Sequence, residues 1–376
     1  MANSIAKIAT GALSRYSPPP DFPHTLNHMS FFRSNIEQMG GYVPGEQPQG
    51  DKFIKLNTNE NPYSCSPKVK AAIGHMIQRG LQKYPDPLAT AFRIRAGEVL
   101  GCDPDWILCG NGSDDLLTIA TRAFVEPGDR VRFANPSYVL YRTLAEIQGG
   151  QCDVVSYQAD WSLGPAFTAG DARLKLAYLA NPNSPSGTAL APQQVAEIAD
   201  ALPCPLVVDE AYVDFADNHC ISLVAENEKV LVTRSLSKSY ALAGLRFGFL
   251  VGQPHMIEQL SKIKDSYNCD ALSIAGATAA MDDQAWLTQN QATIRATRQR
   301  LFTQMQELGF ASVASQANFI WNPHPTIAVE PLYHKLKESG VLVRYMNYPN
   351  WEDGLRISVG TDEQIAACIT LLRAAM

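Results

Sequence analysis

The chain has 376 residues, enough for one large or two modest domains with a sizeable core. Hydrophobic residues make up 46% and charged residues 18%, with a formal net charge of −6, as in an ordinary, mildly acidic soluble protein. This balance argues against nucleic acid as the main partner, because no basic stripe is present to neutralise phosphates. The eight scattered cysteines form no CxxC pair and indicate neither a disulfide framework nor a metal site.

Residues 1–52 are predicted to form an N-terminal tail and arm. The opening "MANSIAKIATGALSRY" has no acidic residue but lacks the apolar core of a signal peptide, and "SPPPDFP" is typical of a stiff linker. No apolar run approaches the roughly 20 residues that cross a bilayer. We therefore expect a cytoplasmic protein without a membrane segment.

Residues 53–285 are predicted to form a large domain. Apolar runs that favour strands alternate with helical patterns such as "DDLLTIATRAF", and the predicted strands are "DWILCG", "DRVRFA", "LKLAYLA", "PLVVDEAY", "KVLVTRS" and "RFGFLVG". Strands this apolar, separated by helices, indicate a mainly parallel sheet covered on both faces. The predicted class is α/β.

Residues 286–376 are predicted to form a smaller α+β domain. A long helical stretch, "AWLTQNQATIRATRQRLFTQMQELGF", is followed by "ANFIWNP", a helix around "VEPLYHKLKESG", the strand-like "VLVRYM" and "LRISVG", and a final helix.

Polar clusters follow four of the predicted strands, where α/β sheets bind their ligands. They are "GNGSDD", "NPNSPSG", Asp209 and the segment from Ser235 to Lys238. Gly112, Ser113 and Asp114 begin a helix, whose free N–H groups attract anions. Ser235, Ser237 and Arg246 add hydroxyl and guanidinium donors, so we expect a phosphate site. Alternatively, "NGSDD" is no more than a helix cap.

Lys238 lies among these hydroxyl groups and ahead of "YALAGL", where partial desolvation favours a nucleophilic amine. A lysine that can form a Schiff base beside a phosphate site predicts pyridoxal phosphate, whose ring nitrogen requires an acid. Asp209 is the candidate for that acid, Tyr212 for a contact with the phenolic oxygen, and Tyr138 for stacking on the ring. Solvation of the lysine and ordinary packing of Tyr138 are the alternative interpretations.

Six segments in this order, "KLNTNENPYS", "NPSYVLY", "NPNSPSG", "VVDEAY", "SLSKSYALAGLRFG" and "LRISVGT", resemble the histidinol-phosphate aminotransferase family of fold-type I pyridoxal-phosphate enzymes. The resemblance runs from about Tyr42 to the C-terminus. It implies that Lys238 binds the cofactor covalently and moves the proton, that Asp209 pairs with the ring nitrogen, and that Tyr212 and Tyr138 contact the ring. The implied phosphate ligands are Gly112, Ser113, Asp114, Ser235, Ser237, Arg246 and, from the second subunit of a homodimer, Tyr84.

The chain departs from the family pattern in "NPNSPSG", where Ser184 replaces the asparagine that bonds the phenolic oxygen. Either Ser184 or the preceding Asn183 is expected to face the ring. A second departure is "ENPYSCSP", in which Ser64 and Cys65 replace glycine and proline.

The resemblance also implies a substrate pocket. Arg356 matches the arginine that grips the anionic end of the substrate, and Arg344 matches a second arginine expected to contact the phosphate of histidinol phosphate. A surface ion pair is the alternative role for both. Tyr42 is expected from the partner subunit, and Asn59 and Asn318 line the pocket.

The expected activity is transamination between histidinol phosphate and 2-oxoglutarate, yielding imidazole acetol phosphate and glutamate, in histidine biosynthesis. The sequence leaves open an aromatic amino acid aminotransferase and a threonine-phosphate decarboxylase, which need the same cofactor machinery. A regulatory module that binds the cofactor without turnover is disfavoured by intact Lys238, Asp209, Tyr212 and Arg356.

Overall fold

The computed structural model describes residues 31–41, 45–48, 52–349 and 351–376, so Tyr42 lies outside the described residues. The strands of this part of the chain are β1 (Ile54–Lys55), β2 (Ile107–Gly110), β3 (Arg130–Asn135), β4 (Gln151–Ser156), β5 (Leu174–Ala180), β6 (Leu206–Asp209), β7 (Val230–Ser235), β8 (Gly248–Val251), β9 (Phe319–Asn322), β10 (Val341–Leu342), β11 (Arg344–Asn347) and β12 (Asp353–Ser358).

The α-helices of the same residues are α1 (Ser34–Gln38), α2 (Pro67–Arg79), α3 (Thr90–Leu100), α4 (Ser113–Phe124), α5 (Leu140–Gln148), α6 (Pro192–Ala201), α7 (Leu223–Glu226), α8 (Pro254–Ser261), α9 (Ala271–Met281), α10 (Gln284–Glu307), α11 (Val329–Glu338) and α12 (Asp362–Ala375). Helix α1 belongs to a separate unit, residues 1–38, and the elements from β1 onward belong to residues 39–376. Over the described ranges, no helix combines the length and apolar character needed to span a membrane.

Seven strands pair in one sheet in the order β2-β8-β7-β6-β5-β3-β4. The strands from β7 to β4 are parallel to one another, whereas β8 runs antiparallel to both β7 and β2. The predicted α/β architecture with a mainly parallel sheet is thereby confirmed. Since the parallel strands all end at the same edge, the polar residues that follow them are brought together there.

Successive residues of the central strands point to opposite faces of the sheet, and both faces are buried. Val208 and Val232 pack in one apolar cluster, while Val207 and Leu231 pack in another. Each of these side chains is fully buried, which stabilises the fold by about 1.5–3 kcal/mol per side chain. This explains why the central strands read as continuous apolar runs.

The C-terminal part of the chain contains a three-stranded antiparallel sheet in the order β11-β12-β9. Its apolar cluster includes Ile320, Leu355 and Ile357 and extends to residues of α11 and α12. The short strand β1 pairs with β10 in parallel, and Leu56 joins the same cluster. The residues just after the predicted arm are therefore packed with the C-terminal region, and the boundaries at 52/53 and 285/286 stay predictions.

Candidate active site

A cavity of about 930 Å³ opens at the edge where the parallel strands end. It is lined by residues from both the seven-stranded and the three-stranded sheet. The site residues predicted from the sequence that line it are Asn59, Ser113, Asp114, Tyr138, Ser184, Asp209, Tyr212, Ser235, Ser237, Lys238, Arg246, Arg344 and Arg356. The structure thus brings together residues that lie up to about 300 positions apart in the chain.

One end of the cavity is an anion cradle. Helix α4 begins at Ser113, and its first N–H groups have no partner within the helix. The preceding Gly112 has a φ of 84°, and a Cβ there would lie 2.7 Å from Nη2 of Arg246. Glycine is therefore required for the guanidinium to approach the helix N-terminus.

Arg246 is held in this cradle by three hydrogen bonds, one of which its Nη1 donates to the carbonyl of Ala243 at 3.4 Å. Its Nη1 donates to Oγ of Ser237 at 3.4 Å, and its Nη2 donates to Oδ2 of Asp114 at 3.3 Å. Oγ of Ser235 accepts from the backbone N–H of Ser237 at 3.1 Å. Because the Asp114 carboxylate is an acceptor that would repel a phosphate, only the backbone N–H of this residue is suited to bind one.

Lys238 lies on the loop that follows β7, and its side chain is half-buried. Its Nζ donates to the carbonyl of Thr58 at 3.2 Å and lies 5.8 Å from the centre of the Tyr212 ring. The amide of Asn61 donates to the backbone carbonyl of Lys238 at 3.0 Å and so fixes the loop. The amine is thereby held within the cavity.

Asp209 is the last residue of β6 and is 5% exposed. Among the described residues its hydrogen-bond partners are neutral: the Tyr141 hydroxyl at 2.8 Å, the Ala211 N–H at 3.2 Å and the Thr233 hydroxyl at 3.4 Å. Burial raises the pKa of this carboxyl to about 6. A buried carboxylate that faces the cavity and has no cation among these hydrogen-bond partners fits a ligand with a positively charged ring nitrogen.

Tyr212 is oriented by a chain of polar contacts. Its hydroxyl accepts from the side-chain amide of Asn59 at 3.0 Å, and the carbonyl of Asn59 accepts from the amide of Asn318 at 2.9 Å. The backbone N–H of Asn59 donates to Oγ of Ser358, which in turn donates to Oδ1 of Asn59. The tyrosine ring also packs edge-on against Phe319, with ring centres 5.0 Å apart.

Ser184, and not Asn183, faces the cavity. The Asn183 amide is buried behind it, where it accepts from the Ser137 hydroxyl at 2.8 Å and donates to the Pro136 carbonyl at 3.1 Å. It also donates to Oγ of Ser186 at 3.0 Å. The polar side-chain atoms of Asn183 are thus engaged in stabilising the loop, and a contact of this residue with a cofactor stays a prediction.

Arg344 and Arg356 are direct neighbours across the pair β11–β12. Nη1 of Arg356 donates to Oγ of Ser184 and its Nη2 donates to the carbonyl of Asn57, both at 3.0 Å. The guanidinium carbon of Arg356 lies 5.4 Å from the centre of the Phe319 ring. Two guanidinium groups on facing strands give this end of the cavity the chemistry of an anion site.

The sequence matches a family model. The model described as aminotransferase class I and II covers residues 51–372. The chain belongs to this family. A histidinol-phosphate aminotransferase of Rhodopirellula baltica is 52% identical over 346 residues, which is 92% of this chain and 96% of the relative. Histidinol-phosphate aminotransferase 1 of a Nostoc species is 44% identical over 92% of this chain and 98% of its own length.

Solved structures agree with the fold of this aminotransferase. A histidinol-phosphate aminotransferase of Sinorhizobium meliloti in complex with pyridoxal-5'-phosphate has a TM-score of 0.85 and 27% identity, covering 94% of this chain and 100% of that one. An aspartate aminotransferase double mutant of Thermus thermophilus has a TM-score of 0.77 at 20% identity, covering 93% and 100%, and supports the fold alone. The resemblance expected from the motifs is confirmed.

Tyr84 is not among the residues that line the cavity of this aminotransferase chain. Its side chain is 80% exposed and stacks on Tyr267, with ring centres 4.4 Å apart. Such an exposed aromatic pair is available to a second molecule rather than to the chain's own cavity.

Two further contacts of the aminotransferase site were missed by sequence reasoning. Thr58 supplies the carbonyl that accepts from Lys238, and Tyr141 supplies the hydroxyl that contacts Asp209. Neither contact leaves a signal in the sequence. Tyr141 lies at the start of α5 and nothing in "NPSYVLY" points to Asp209, and a backbone carbonyl such as that of Thr58 is not specified by residue type.

Proposed function

We propose that this chain catalyses the pyridoxal-phosphate-dependent transamination of histidinol phosphate, with 2-oxoglutarate as amino acceptor, in histidine biosynthesis. The assignment of the substrate rests on the 52% identity, over nearly the full length of both chains, to a protein named histidinol-phosphate aminotransferase. The two arginines that face each other across β11–β12 support an anionic substrate. Arg356 would bind the anionic group of either substrate, and Arg344 the phosphate of histidinol phosphate.

Three parts of the cavity fit pyridoxal phosphate: the phosphate cradle, Asp209 and Lys238. The helix N-terminus at Ser113, the hydroxyls of Ser235 and Ser237, and Arg246 would hold the phosphate. When bound, the cofactor supplies an electron sink for charge that develops at the substrate Cα. Asp209, with its carboxylate turned to the cavity, would hold a proton on the ring nitrogen.

Lys238 would carry the proton between the substrate Cα and the neighbouring carbon of the cofactor. Its Nζ is suited to this role because its hydrogen bond to the Thr58 carbonyl holds it at the cavity. Tyr138, whose hydroxyl donates to Asp114 at 3.0 Å, would stack on the ring, and Tyr212 and Ser184 would lie near the phenolic oxygen.

We also propose a cytoplasmic homodimer in which Tyr84 and Tyr42 reach the partner's cavity. The exposed side chains of Tyr84, Tyr267, Ile77 and Leu81 support an apolar contact surface near the end of α2. Sedimentation is expected to give twice the chain mass of 41.1 kDa, and a monomer at micromolar concentration contradicts this proposal.

The absorbance spectrum of the purified protein tests the function. The band of the lysine-bound cofactor is expected to shift to that of the amine form on addition of L-histidinol phosphate and, separately, of L-glutamate. A shift with L-phenylalanine and not with histidinol phosphate would move the assignment to an aromatic aminotransferase. A protein with no cofactor band would refute the proposed chemistry.

A further inference from the structure

Tyr141 lies behind the cavity and contacts Asp209 from the side of the sheet. It belongs to α5, its side chain is fully buried, and it is not among the residues that line the cavity. Its hydroxyl donates to Oδ2 of Asp209 at 2.8 Å. The Tyr141 hydroxyl therefore reaches a bound ligand through the Asp209 carboxylate, while the Tyr141 ring packs edge-on against Tyr138, with ring centres 5.6 Å apart.

The hydrogen bond from Tyr141 is the shortest of the three that Asp209 accepts. The other two, from the Ala211 N–H at 3.2 Å and the Thr233 hydroxyl at 3.4 Å, reach Oδ1. Donors to a carboxylate stabilise its ionised form, and they do so more strongly where water is excluded. Tyr141 is thus the main protein group that opposes the effect of burial on this acid.

The ring of Tyr141 is held in place by a second buried tyrosine. It stacks on Tyr178, with ring centres 4.8 Å apart and planes within 6°. The Tyr178 hydroxyl donates to the carbonyl of Leu117 at 2.9 Å and lies 2.6 Å from Oγ1 of Thr121. Because both neighbours belong to α4, the direction of the Tyr141 hydroxyl is fixed by the packing of two helices on the sheet.

Other charged and titratable groups also surround Asp209. Burial raises its pKa to about 6, the Tyr141 hydroxyl lowers it, and Asp114 on α4 raises it. Burial raises the pKa of Tyr178 on β5 and the Asp209 charge raises it further, while burial, Asp209 and Tyr138 raise the pKa of Tyr141. The charged and titratable groups that line the cavity together with Asp209 are Glu60, Asp114, Tyr138, Arg142, Glu146, Tyr212, Lys238, Arg246, Arg344 and Arg356.

We propose that Tyr141 is a positioning residue for the reaction: its hydroxyl keeps the Asp209 carboxylate ionised and aims it at the ring nitrogen of the cofactor. The inference rests on the proposed function. Without this hydroxyl the carboxylate becomes more basic and retains the proton itself instead of leaving it on the ring nitrogen. The electron sink is then weaker, although no group that touches substrate has changed.

The test compares holoenzymes of wild type, Tyr141→Phe and Tyr178→Phe. In Tyr141→Phe, kcat is expected to fall about tenfold and the Kd for pyridoxal phosphate at neutral pH to rise about tenfold, as for loss of one hydrogen bond to a charged group. The acid-side midpoint of cofactor binding, followed by absorbance over about pH 5 to 9, moves to higher pH because the pKa of Asp209 rises. KM for the amino donor stays within about twofold.

Tyr178→Phe is the matched control, because it removes a buried hydroxyl from the stacked partner without touching Asp209. It is expected to keep the wild-type midpoint and Kd. Equal shifts in both variants would show a structural effect and overturn the proposal, as would a wild-type midpoint in Tyr141→Phe. If Tyr141→Phe does not fold, Thr233→Val decides: a smaller shift in the same direction supports the proposal and an unchanged midpoint overturns it.

The same experiment separates this inference from the proposed function. Cofactor binding does not depend on which amino donor the enzyme uses. A wild-type protein that binds no cofactor would refute the proposed function, whereas a wild type that binds it and a Tyr141→Phe variant that binds it equally well would refute only the role of Tyr141.

Discussion

The two sheets contribute to the cavity in different ways. The seven-stranded sheet supplies Asp209 and Ser235 at strand ends, and its one guanidinium in the cradle, Arg246, is already paired with Asp114. The three-stranded sheet supplies Arg344 and Arg356 as direct cross-strand neighbours. Like charges in that position destabilise a sheet. The guanidinium of the phosphate cradle is therefore paired with a carboxylate before a ligand binds, while at the substrate end two guanidinium groups lie directly opposite each other, an arrangement that an anionic ligand stabilises.

The largest expected effect is at Lys238, on the cofactor side of this comparison. Lys238→Ala removes the group that moves the proton, and turnover is expected to fall about 10⁴-fold or more. Because the phosphate cradle is unchanged, the variant should still bind pyridoxal phosphate, although without the spectral band of a lysine-bound aldehyde. Turnover near the wild-type rate would remove Lys238 from the mechanism.

The next largest effect is expected at Asp209, where one substitution lowers kcat but raises the stability of the cofactor-free protein. Asp209→Asn keeps the size of the side chain but cannot hold a proton on the ring nitrogen, so kcat is expected to fall about 10²–10³-fold. A control is the same substitution at Asp214, which does not line the cavity and is expected to cost less than about tenfold in kcat.

The cofactor-free Asp209→Asn protein is expected to be more stable than the wild type above pH 6. The buried carboxyl has a pKa of about 6 against an ordinary value of 3.8, so folding is penalised progressively as pH rises between these values. Above pH 6 the full penalty, about 3 kcal/mol, is absent from the amide variant. Urea unfolding at pH 4 and pH 8 checks this, and an equal stability difference at both pH values would contradict it.

The smallest effects test the arginine pair. Arg356→Lys is expected to raise KM about 30-fold for both glutamate and histidinol phosphate, because lysine cannot form the two parallel hydrogen bonds of a guanidinium. Arg344→Lys is expected to raise KM for histidinol phosphate about fivefold and to leave that for glutamate within about twofold. Equal losses for both substrates in Arg344→Lys would contradict a phosphate-specific role.

The parallel strands β3, β5, β6 and β7 were predictable because each is an apolar-rich run followed by polar residues, as for β6 and Asp209. Strand β4 was not predicted, since it lies at the sheet edge and three of its six residues are exposed. The direction of β8 was also hidden in the sequence. Its link to β7, residues 236–247, contains no α-helix, and an antiparallel return needs none.

The side chains that line the cavity were predictable where a single local motif contains them. Lys238 and Arg246 lie within a single segment, whereas Tyr141 acts through a residue 68 positions away. In the sequence, Tyr141 is one more apolar residue on a helix face. Ser184 and Asn183 are adjacent, so the sequence could not show which of them faces the cavity. The structure shows that it is Ser184, because the Asn183 side chain is hydrogen-bonded to Ser137 and Ser186.

The reciprocal hydrogen bonds between Asn59 and Ser358 join residues 299 positions apart, and Asn59 in turn orients Tyr212. Contacts between such distant segments form late in folding, and the ribosome releases the chain from its N-terminus. During synthesis the strands of the seven-stranded sheet are therefore all available well before Ser358 leaves the exit tunnel. A nascent chain can therefore build the floor of the cavity before Ser358 is available to close its wall.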